Sequence, residues 1–255
     1  MSLGIDIGGT FTDYFLFDPD TRRVLTAKSP SNRGDEAKGF LTGLELLDAE
    51  AALASVVHGT TVGLNALLER RGAKVGLITT TGFRDVLEIR RGDRAEMYNL
   101  FWKQTMPLVP RRLRLEIQGR ILGSGAEYAP LDTAAVAGLA AKLMAEKVDA
   151  IAVCLINSYA NSAHEQKVHD LLRAAGFEGG ISLSYKISGE YREYERTSTT
   201  CIDAFVRGRM SNYLRRLDGR LRDLGFRGTS LITRSGSGSM TFAEAEDRPF
   251  ETIMS

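Results

Sequence analysis

The sequence contains little cysteine, little tryptophan and no long apolar stretch. Only 2 cysteines and 1 tryptophan occur among its 255 residues. Cys154 lies inside an apolar run and Cys201 near a helix, which is too few thiols, too scattered, for a disulfide framework or a zinc cluster. Both are expected to be reduced and structural. Because no run approaches the roughly 18 apolar residues that a membrane span requires, no spanning helix is predicted.

An excess of charge of one sign is also missing. The chain has 33 basic and 32 acidic residues, a formal net charge of +1, and 43% hydrophobic residues. This balance excludes the basic surface typical of nucleic-acid binders and the charge-rich composition of disordered tails. The chain begins directly with a structured pattern rather than a signal peptide. The expected protein is therefore globular and cytoplasmic, without nucleic-acid or membrane partners.

The first third of the chain has the pattern of an α/β fold. Two apolar runs joined by Gly8-Gly9-Thr10, with a third run after a turn, predict a three-stranded antiparallel meander over residues 2–28. The elements predicted next are a helix at Asp35–Leu47, a strand at Ser55–His58, a helix ending before Gly72 and a strand at Lys74–Thr79. This is the order of a ribonuclease-H-like half, as in actin-like ATPases, with a mixed sheet flanked by helices, and it is assigned to residues 1–88.

The rest of the chain predicts a second, smaller α/β unit and a long helix. After an arginine-rich stretch, helices and strands alternate, so residues 89–188 are expected to form an inserted α/β unit. A helix from about Ser198 to Leu224, ending at Gly225, is predicted within residues 189–255. That last segment is expected to begin a second ATPase half.

The segment Asp6-Ile-Gly-Gly-Thr-Phe-Thr-Asp13 has the clearest chemical pattern. Because it joins two strands, its glycines occupy a hairpin turn in which backbone N–H groups can approach an anion. Asp6 is placed to hold Mg²⁺, directly or through water, and Asp13 to orient the metal or the nucleophile. The predicted nucleotide-binding residues here are Gly8, Gly9, Thr10, Phe11 and Thr12.

The surroundings of this turn distinguish it from other phosphate loops. No Gly-Lys-Ser/Thr follows, and the next element is a strand, so the segment is neither a Walker loop nor a dinucleotide fingerprint. Strands on both sides favour the actin-like phosphate turn. The alternative is a glycine pair that merely makes a tight hairpin.

A second candidate site lies where a predicted strand meets a predicted helix, at His58-Gly59-Thr60-Thr61. Free N–H groups and the positive end of a helix dipole attract phosphate or a carbonyl oxygen. His58 is a catalytic candidate, Gly59, Thr60 and Thr61 are candidate cofactor-binding residues, and Asn65 is a weaker candidate for substrate. The alternative is a helix cap beside a histidine satisfied by a backbone partner.

Three arginines are weak candidates for binding a substrate carboxylate or phosphate through two-pronged contacts. Arg91 and Arg94 lie in the arginine-rich stretch, for which a solvated loop is the competing interpretation. Arg196 precedes the predicted long helix, where a structural role is favoured. His164 and His169 lack the spacing of a helical zinc site and are expected at the surface.

Several segments, taken together and in order, resemble one family. They are Gly4–Asp13, His58–Gly72, Ile78–Asp85, Asn157–Asn161 with His164 and Glu165, and Glu193–Thr200. On these segments the chain resembles the hydantoinase A, 5-oxoprolinase and acetone carboxylase β-subunit family along its whole length. The first segment is shared widely with sugar kinases, whereas the others are more particular to this family.

The resemblance implies an ATP- and Mg²⁺-dependent enzyme, a cyclic-amide hydrolase or a carboxylase. In that family ATP phosphorylates the oxygen of a lactam, a cyclic imide or a ketone's enol form, and a partner domain or subunit then hydrolyses or carboxylates the activated species. The implied partners are the remaining half of the hydantoinase A-type subunit and a hydantoinase B-type subunit. Two alternatives stay open: a sugar or acyl kinase of the same superfamily, and a non-catalytic scaffold subunit.

The chain departs from the family's pattern in three places. Asp203 stands where the family usually has asparagine, and Arg234 opens a Ser/Gly run in place of a more usual Ser-Asn-Gly-Gly. The third departure follows Glu251, where the family continues into a glycine-rich turn and a long second half. Weak or no ATP binding is therefore expected of the isolated chain.

Overall fold

The computed structural model divides the chain into two compact units. The first joins residues 1–72 to residues 206–255, and the second comprises residues 73–205. These boundaries differ from the predicted ones at residues 88 and 188, since the first unit is built from both ends of the chain. The structure describes residues 1–8, 10–31, 42–43, 45–47, 53–223 and 225–254.

The first unit contains a six-stranded mixed sheet. Its strands are β1 (Ser2–Ile7), β2 (Phe11–Phe17), β3 (Val24–Pro30), β4 (Ser55–Thr60), β11 (Thr229–Thr233) and β12 (Ser239–Thr241). Their order across the sheet is β12-β11-β4-β1-β2-β3. Strands β1, β2 and β3 form the predicted antiparallel meander, while β1, β4 and β11 run parallel to one another.

Strict alternation along the first two strands gives this sheet one apolar face. Leu3, Ile5 and Ile7 on β1, with Tyr14 and Leu16 on β2, are each at most 3% exposed. These residues share one buried face, because successive side chains of a strand point to opposite sides. Of the helix predicted at Asp35–Leu47, residues 42–43 and 45–47 are helical, and the remainder lies outside the described residues.

Helix α1 (Val62–Leu68) follows β4 as predicted. Val62, Gly63 and Ala66 are the buried residues, whereas Leu68 is 73% exposed. Leu68, the last residue of this helix, therefore lies on its exposed side. The Thr60 hydroxyl accepts a hydrogen bond from the Val62 N–H at 3.2 Å, which satisfies one of the free donors of the first turn.

The second unit has a four-stranded sheet that is entirely parallel. Its strands are β5 (Val75–Thr80), β6 (Arg114–Ile117), β9 (Ala150–Cys154) and β10 (Gly180–Leu183), in the order β10-β9-β5-β6. The strand predicted at Lys74–Thr79 thus exists as β5 but pairs in this sheet, and β11 takes its place beside β4. Local pattern predicted the strand, whereas its partners lie far away in the chain.

The remaining elements of the second unit surround this sheet. They are α2 (Val86–Ile89), β7 (Arg120–Ile121), β8 (Glu127–Ala129), α3 (Ala135–Ala145), α4 (Ala163–Ala174), α5 (Ser184–Ile187) and a 3₁₀ turn at Arg111–Leu113. Helices α3 and α4 belong to the alternation of helices and strands that the sequence predicted for this unit. The structure found between residues 85 and 130 was not predicted, because its strands are only two to four residues long.

The long helix α6 (Glu193–Asp223) begins five residues before its predicted start at Ser198. Thr197 and Ser198 therefore lie inside it. Threonines in this stretch instead bond backward along the helix, since the Thr200 hydroxyl donates to the Arg196 carbonyl at 2.6 Å. Gly225, with φ of +84°, ends the helix as predicted.

Two short elements close the described chain, helix α7 (Phe242–Asp247) and a 3₁₀ turn at Pro249–Thr252. Helix α7 begins with a complete capping box formed by Thr241 and Glu244. Among the helices of the described ranges, none is both long enough and apolar enough to cross a bilayer.

Candidate functional site

A row of polar residues crosses the outer face of the first unit's sheet, near the carboxyl ends of its parallel strands. Asp6 lies directly opposite Asp13, Asp13 opposite Lys28, and Asp6 opposite Gly59 on its other side. We call Gly59, Asp6, Asp13 and Lys28 the polar row. The carboxyl ends of parallel strands are where α/β sheets commonly bind ligands.

A cavity of about 800 Å³ opens over this row. Its lining includes Asp6, Asp13, Lys28, Gly59 and Thr233. Gly59 forms part of the floor: a Cβ there would lie 3.2 Å from Asp6 Oδ1 and 3.6 Å from Thr233 Oγ1. Glycine at this position therefore leaves the Asp6 carboxylate room to face the cavity.

The two aspartates of the row oppose one another across an antiparallel pair, an arrangement that ordinarily destabilises a sheet. Lys28 partly offsets the repulsion between the two carboxylates, because its Nζ lies 2.9 Å from Asp13 Oδ1. Among the residues that the structure describes, Asp6 has no ion pair. Two like charges kept side by side at the mouth of a cavity are typical of a site that binds a cation.

The glycine turn does not contribute every donor that the sequence predicted. The Gly8 N–H donates to the Phe11 carbonyl at 3.0 Å and so serves the hairpin itself. Gly9 lies outside the described residues. Thr10 and Phe11 are exposed, whereas Thr12 is fully buried and its hydroxyl shares a hydrogen bond with Ser31 at 3.0 Å. Binding from this turn would therefore involve Thr10 and Phe11 rather than Gly8 or Thr12.

His58 lies on the other face of β4 from the polar row. It has no exposed surface, and its Nε2 shares a short hydrogen bond with the Tyr213 hydroxyl of α6. Burial lowers its pKa from 6.5 to about 4, partly opposed by the backbone of Ile5. A neutral, enclosed imidazole supports the packing of β4 against α6. Its predicted catalytic role stays a prediction that this burial does not favour.

The other residues of the second candidate site hold the strand-to-helix junction together. The Thr61 hydroxyl donates to the Ile7 carbonyl at 3.4 Å, and Asn65 Nδ2 donates to Thr61 Oγ1 at 3.2 Å. Thr60 is fully buried beneath them. Of the four residues from 58 to 61, only Gly59 lines the cavity.

The three candidate arginines all lie in the second unit and already have partners there. Arg91 forms an ion pair with Glu195, and the Arg94 guanidinium donates to the Asn99 carbonyl at 3.1 Å. Arg196 is 1% exposed and donates to the Leu155 carbonyl at 2.8 Å. Arg196 therefore has the structural role that the sequence favoured.

Two residues of the Asn157–Glu165 segment have structural roles that the sequence did not indicate. His164 is 8% exposed, and its Nε2 lies 2.9 Å from Glu127 Oε1, so the surface placement expected for it was wrong. Glu165 is fully buried, and its carboxylate accepts hydrogen bonds from the Leu155 N–H and the Ser184 hydroxyl at 2.8 and 2.6 Å. Burial raises the pKa of Glu165. These contacts tie the ends of β9 and β10 together.

Lys28 and Thr233 belong to the cavity but were missed by the sequence reasoning. Lys28 ends a predicted strand, and counting alternate residues forward from Asp6 through the two turns of the meander would have placed it on the same face. Thr233 ends a strand whose partner, β4, lies far away in the sequence, so no local signal could have identified it.

The donors present fit a magnesium ion accompanied by phosphate. Within the described ranges, no group of three or more potential metal-ligating side chains comes together. Mg²⁺ ordinarily takes one or two carboxylates and completes its octahedron with water and substrate phosphates. Asp6 and Asp13 supply that number of carboxylates at the mouth of a cavity large enough for a triphosphate.

Comparison with known proteins agrees with this geometry. A family model described as hydantoinase/oxoprolinase N-terminal region matches residues 2–176, and one described as hydantoinase/oxoprolinase matches residues 196–255. The chain belongs to the hydantoinase/oxoprolinase family. It is 35% identical to the caprolactamase subunit alpha of Pseudomonas jessenii over 99% of this chain, and 34% identical to the acetophenone carboxylase gamma subunit of Aromatoleum aromaticum over 93%.

A solved structure places the fold within the same group. The nucleotide-free structure of acetone carboxylase, from a study of ATP-dependent acetone carboxylation, superposes on all of this chain with a TM-score of 0.88 at 25% identity. The predicted fold class, an actin-like ATPase half, is confirmed. This hydantoinase/oxoprolinase family chain spans 38% of the caprolactamase subunit, 35% of the acetophenone carboxylase subunit and 38% of the acetone carboxylase chain.

Proposed function

We propose that this chain supplies the phosphate-binding half of an ATP-dependent enzyme that phosphorylates a carbonyl oxygen. The substrate class is a lactam, a cyclic imide or a ketone in its enol form, which phosphorylation activates for hydrolysis or carboxylation. The observation that carries the proposal is the polar row, with two opposed aspartates beside a glycine hairpin at the mouth of an 800 Å³ cavity.

The chemistry of phosphoryl transfer explains why such a simple site suffices. The transferred group passes through a loose transition state, so the protein's work is mainly to position the reactants and neutralise charge. An amide oxygen is a poor leaving group, and its phosphorylated form is a better one. The relatives support this assignment, since the acetone carboxylation catalysed by the solved structure's enzyme is ATP-dependent.

Asp6 would hold Mg²⁺, and Asp13 would share it or orient the nucleophile. Bound there, the metal would neutralise charge on the phosphate oxygens. The residues of this chain hold the surroundings in place: Gly59 leaves space beside the Asp6 carboxylate, and the Gly8 N–H closes the hairpin that separates the two aspartates.

A further polypeptide is proposed to cover the outer face of the first unit's sheet. Below the polar row, Leu231, Val57, Gly4 and Phe15 form an apolar row across four neighbouring strands, and Phe15 is 49% exposed. Sheets built around parallel strands are normally covered on both faces. Gly4, Val57 and Phe15 also line the cavity over the polar row. The occupant we assign is therefore a helix that forms the apolar wall of this cavity, from the polypeptide corresponding to the part of the relatives that this chain does not span.

Gly4 offers a test of this covering partner. A Cβ there would meet only Phe15 atoms, at 3.7 and 3.8 Å, so Gly4→Ala fits the isolated sheet and is expected to stabilise it by about 0.5–1 kcal/mol. The same methyl fills the floor of the groove and should weaken association with the completing polypeptide. Thermal melting and a pull-down with that polypeptide, run side by side, measure the two effects. Unchanged association would contradict the assigned occupant.

The second proposed partner is a hydantoinase B-type subunit. Both curated relatives compared above carry names that make them subunits of larger enzymes. The second unit also presents large apolar side chains that are between 65% and 93% exposed: Ile89, Met97, Tyr98, Leu100, Phe101 and Met106. Apolar surface of this extent is typical of a protein contact, and the arginines beside it favour an acidic rim on the partner.

The proposed function is tested by replacing one carboxylate in the intact enzyme that contains this chain. Asp6→Asn should abolish MgATP-dependent turnover, because it removes the charge that the metal requires. Asp20→Asn is the matched control, since Asp20 is an exposed carboxylate in a turn of the same unit. Turnover that survives Asp6→Asn would support the scaffold alternative instead.

Analysis of the reaction products distinguishes the proposed function from the sugar or acyl kinase alternative. An activated carbonyl releases free phosphate after hydrolysis or carboxylation, whereas a sugar or acyl kinase leaves a stable phosphorylated product.

Calorimetry of the isolated chain with MgATP tests whether its nucleotide site is incomplete. Submicromolar affinity in the absence of any second polypeptide would refute it.

A further inference from the structure

We propose that Lys28 is a phosphate-binding residue whose ammonium group exchanges Asp13 for the terminal phosphates of the nucleotide. This inference rests on the proposed function and adds a residue to its site. Lys28 is the outermost member of the polar row, on β3, and lines the same cavity as Asp6 and Asp13. Neither the glycine turn nor the family motif segments include it.

The contacts of Lys28 favour exchange over a fixed structural bond. Its Nζ lies 2.9 Å from Asp13 Oδ1 and 3.3 Å from Asp13 Oδ2, but the two side chains are 57% and 58% exposed. An ion pair so exposed contributes little to stability and is broken at little cost. The Nζ also lies 5.2 Å from the centre of the Phe11 ring, which limits the directions in which the side chain can extend.

The charges of the row also favour this role. Two aspartates and one lysine leave the row with a net charge of −1, which repels a nucleotide polyphosphate unless cations intervene. A metal held by the aspartates makes the Lys28–Asp13 pair redundant, because the metal then neutralises the carboxylate. The freed ammonium group lies within the cavity, where a charge-assisted bond to a phosphate oxygen is stronger than a neutral one.

Opposite effects on the affinity for Mn²⁺ and for MgATP distinguish this proposal from a structural role for Lys28. Lys28→Met removes a positive charge beside the carboxylates, so the chain should bind Mn²⁺, a spin-active probe for the Mg²⁺ site, several-fold more tightly. The same variant should raise the KM for MgATP of the intact enzyme by about 10-fold, the value of one charge-assisted hydrogen bond. Lys28→Arg should restore both values towards wild type. Lys167→Met, at an exposed position on α4, is the control and should change neither.

Electron paramagnetic resonance of Mn²⁺ and steady-state kinetics measure the two quantities. If Lys28→Met weakens both affinities together, the residue merely supports the hairpin and the inference fails. If it leaves the KM for MgATP within about 2-fold of wild type while Asp6→Asn abolishes turnover, the phosphates lie elsewhere and only the proposed function survives. If Asp6→Asn also has no effect, the proposed function fails with it.

Discussion

At the scale of single residues, His58 and Gly59 show how one strand serves two purposes. The two are adjacent on β4, so their side-chain positions face opposite sides of the sheet. His58 lies in the core beside Tyr213, and Gly59 lies on the floor of the cavity. The motif that contains them suggested a single catalytic cluster. Strand alternation separates it into a packing residue and a site residue.

The buried imidazole predicts a pH dependence of stability. Since the pKa of His58 is about 4 in the folded chain and 6.5 ordinarily, the unfolded chain binds more protons between these values. The free energy of unfolding should therefore fall as the pH drops from about 6.5 to about 4, by roughly 3 kcal/mol. Denaturant titrations across this range measure the slope.

His58→Gln provides the comparison for this slope. Its side-chain amide can still bond the Tyr213 hydroxyl but does not titrate. The variant is expected to be less stable at neutral pH, because the amide fills less space than the ring, and to lose this part of the pH dependence. An equally steep slope in the variant would assign the effect to other groups.

Whether a site residue could be predicted from the sequence depends on how far along the chain its partner on the neighbouring strand lies. Asp6 and Asp13 face one another across a short hairpin, so the local pattern was enough to pair them. Thr12 was predicted as a donor to nucleotide, but strand alternation turns it to the buried face. Lys28 required counting through two turns, and Thr233 required knowing that β11 pairs with β4.

At the scale of elements, helix α3 packs closely against strand β5 at a glycine of the strand. A Cβ on Gly76 of β5 would lie 2.7 Å from Leu143 Cδ2 of α3. Glycine at this position lets the helix approach the sheet closely. The strand can be predicted from its apolar run, but the need for glycine inside it comes from the helix above.

Two glycine-to-alanine substitutions, one on β5 and one on α3, should have opposite effects on the free energy of unfolding. Gly76→Ala should destabilise the chain by about 1–3 kcal/mol, because the new methyl overpacks the interface with Leu143. Gly138→Ala, on the exposed side of α3 where a Cβ would have open space, should stabilise it by about 0.5–1 kcal/mol. Chemical denaturation of both variants gives the difference. Equal effects would show that the Leu143 side chain moves aside without cost.

At the scale of the whole molecule, the second unit is a continuous stretch of chain, whereas the first is not. The Ala73 N–H donates to the Phe205 carbonyl at 3.0 Å, so the two ends of the second unit are adjacent. Helix α6 continues past residue 205, but the second unit has ends that meet and its own sheet and core, which are two of the usual criteria for independent folding. The sequence suggested that the chain divides into successive units. A unit built from two distant segments leaves no local pattern at the points where the chain enters and leaves it.

Excision should therefore yield a folded fragment. The polypeptide 73–205, expressed alone, is expected to be monomeric and to give a dispersed amide NMR spectrum with cooperative thermal unfolding. Joining residue 72 to residue 206 through a short glycine linker should preserve the sheet of the first unit, and Mn²⁺ binding at Asp6 is the readout. Collapsed amide dispersion in the excised fragment would mean that it depends on the rest of the chain.

The cavity over the polar row is lined by strands from opposite ends of the polypeptide, and this determines when the site can first exist during synthesis. The first unit's sheet places β11, the third of its parallel strands, next to β4, although more than two thirds of the chain separates Asp6 from Thr233. A nascent chain still lacking residues 229–233 has the aspartates and the hairpin but no closing wall. The proposed nucleotide site can therefore take shape only after those residues leave the ribosome.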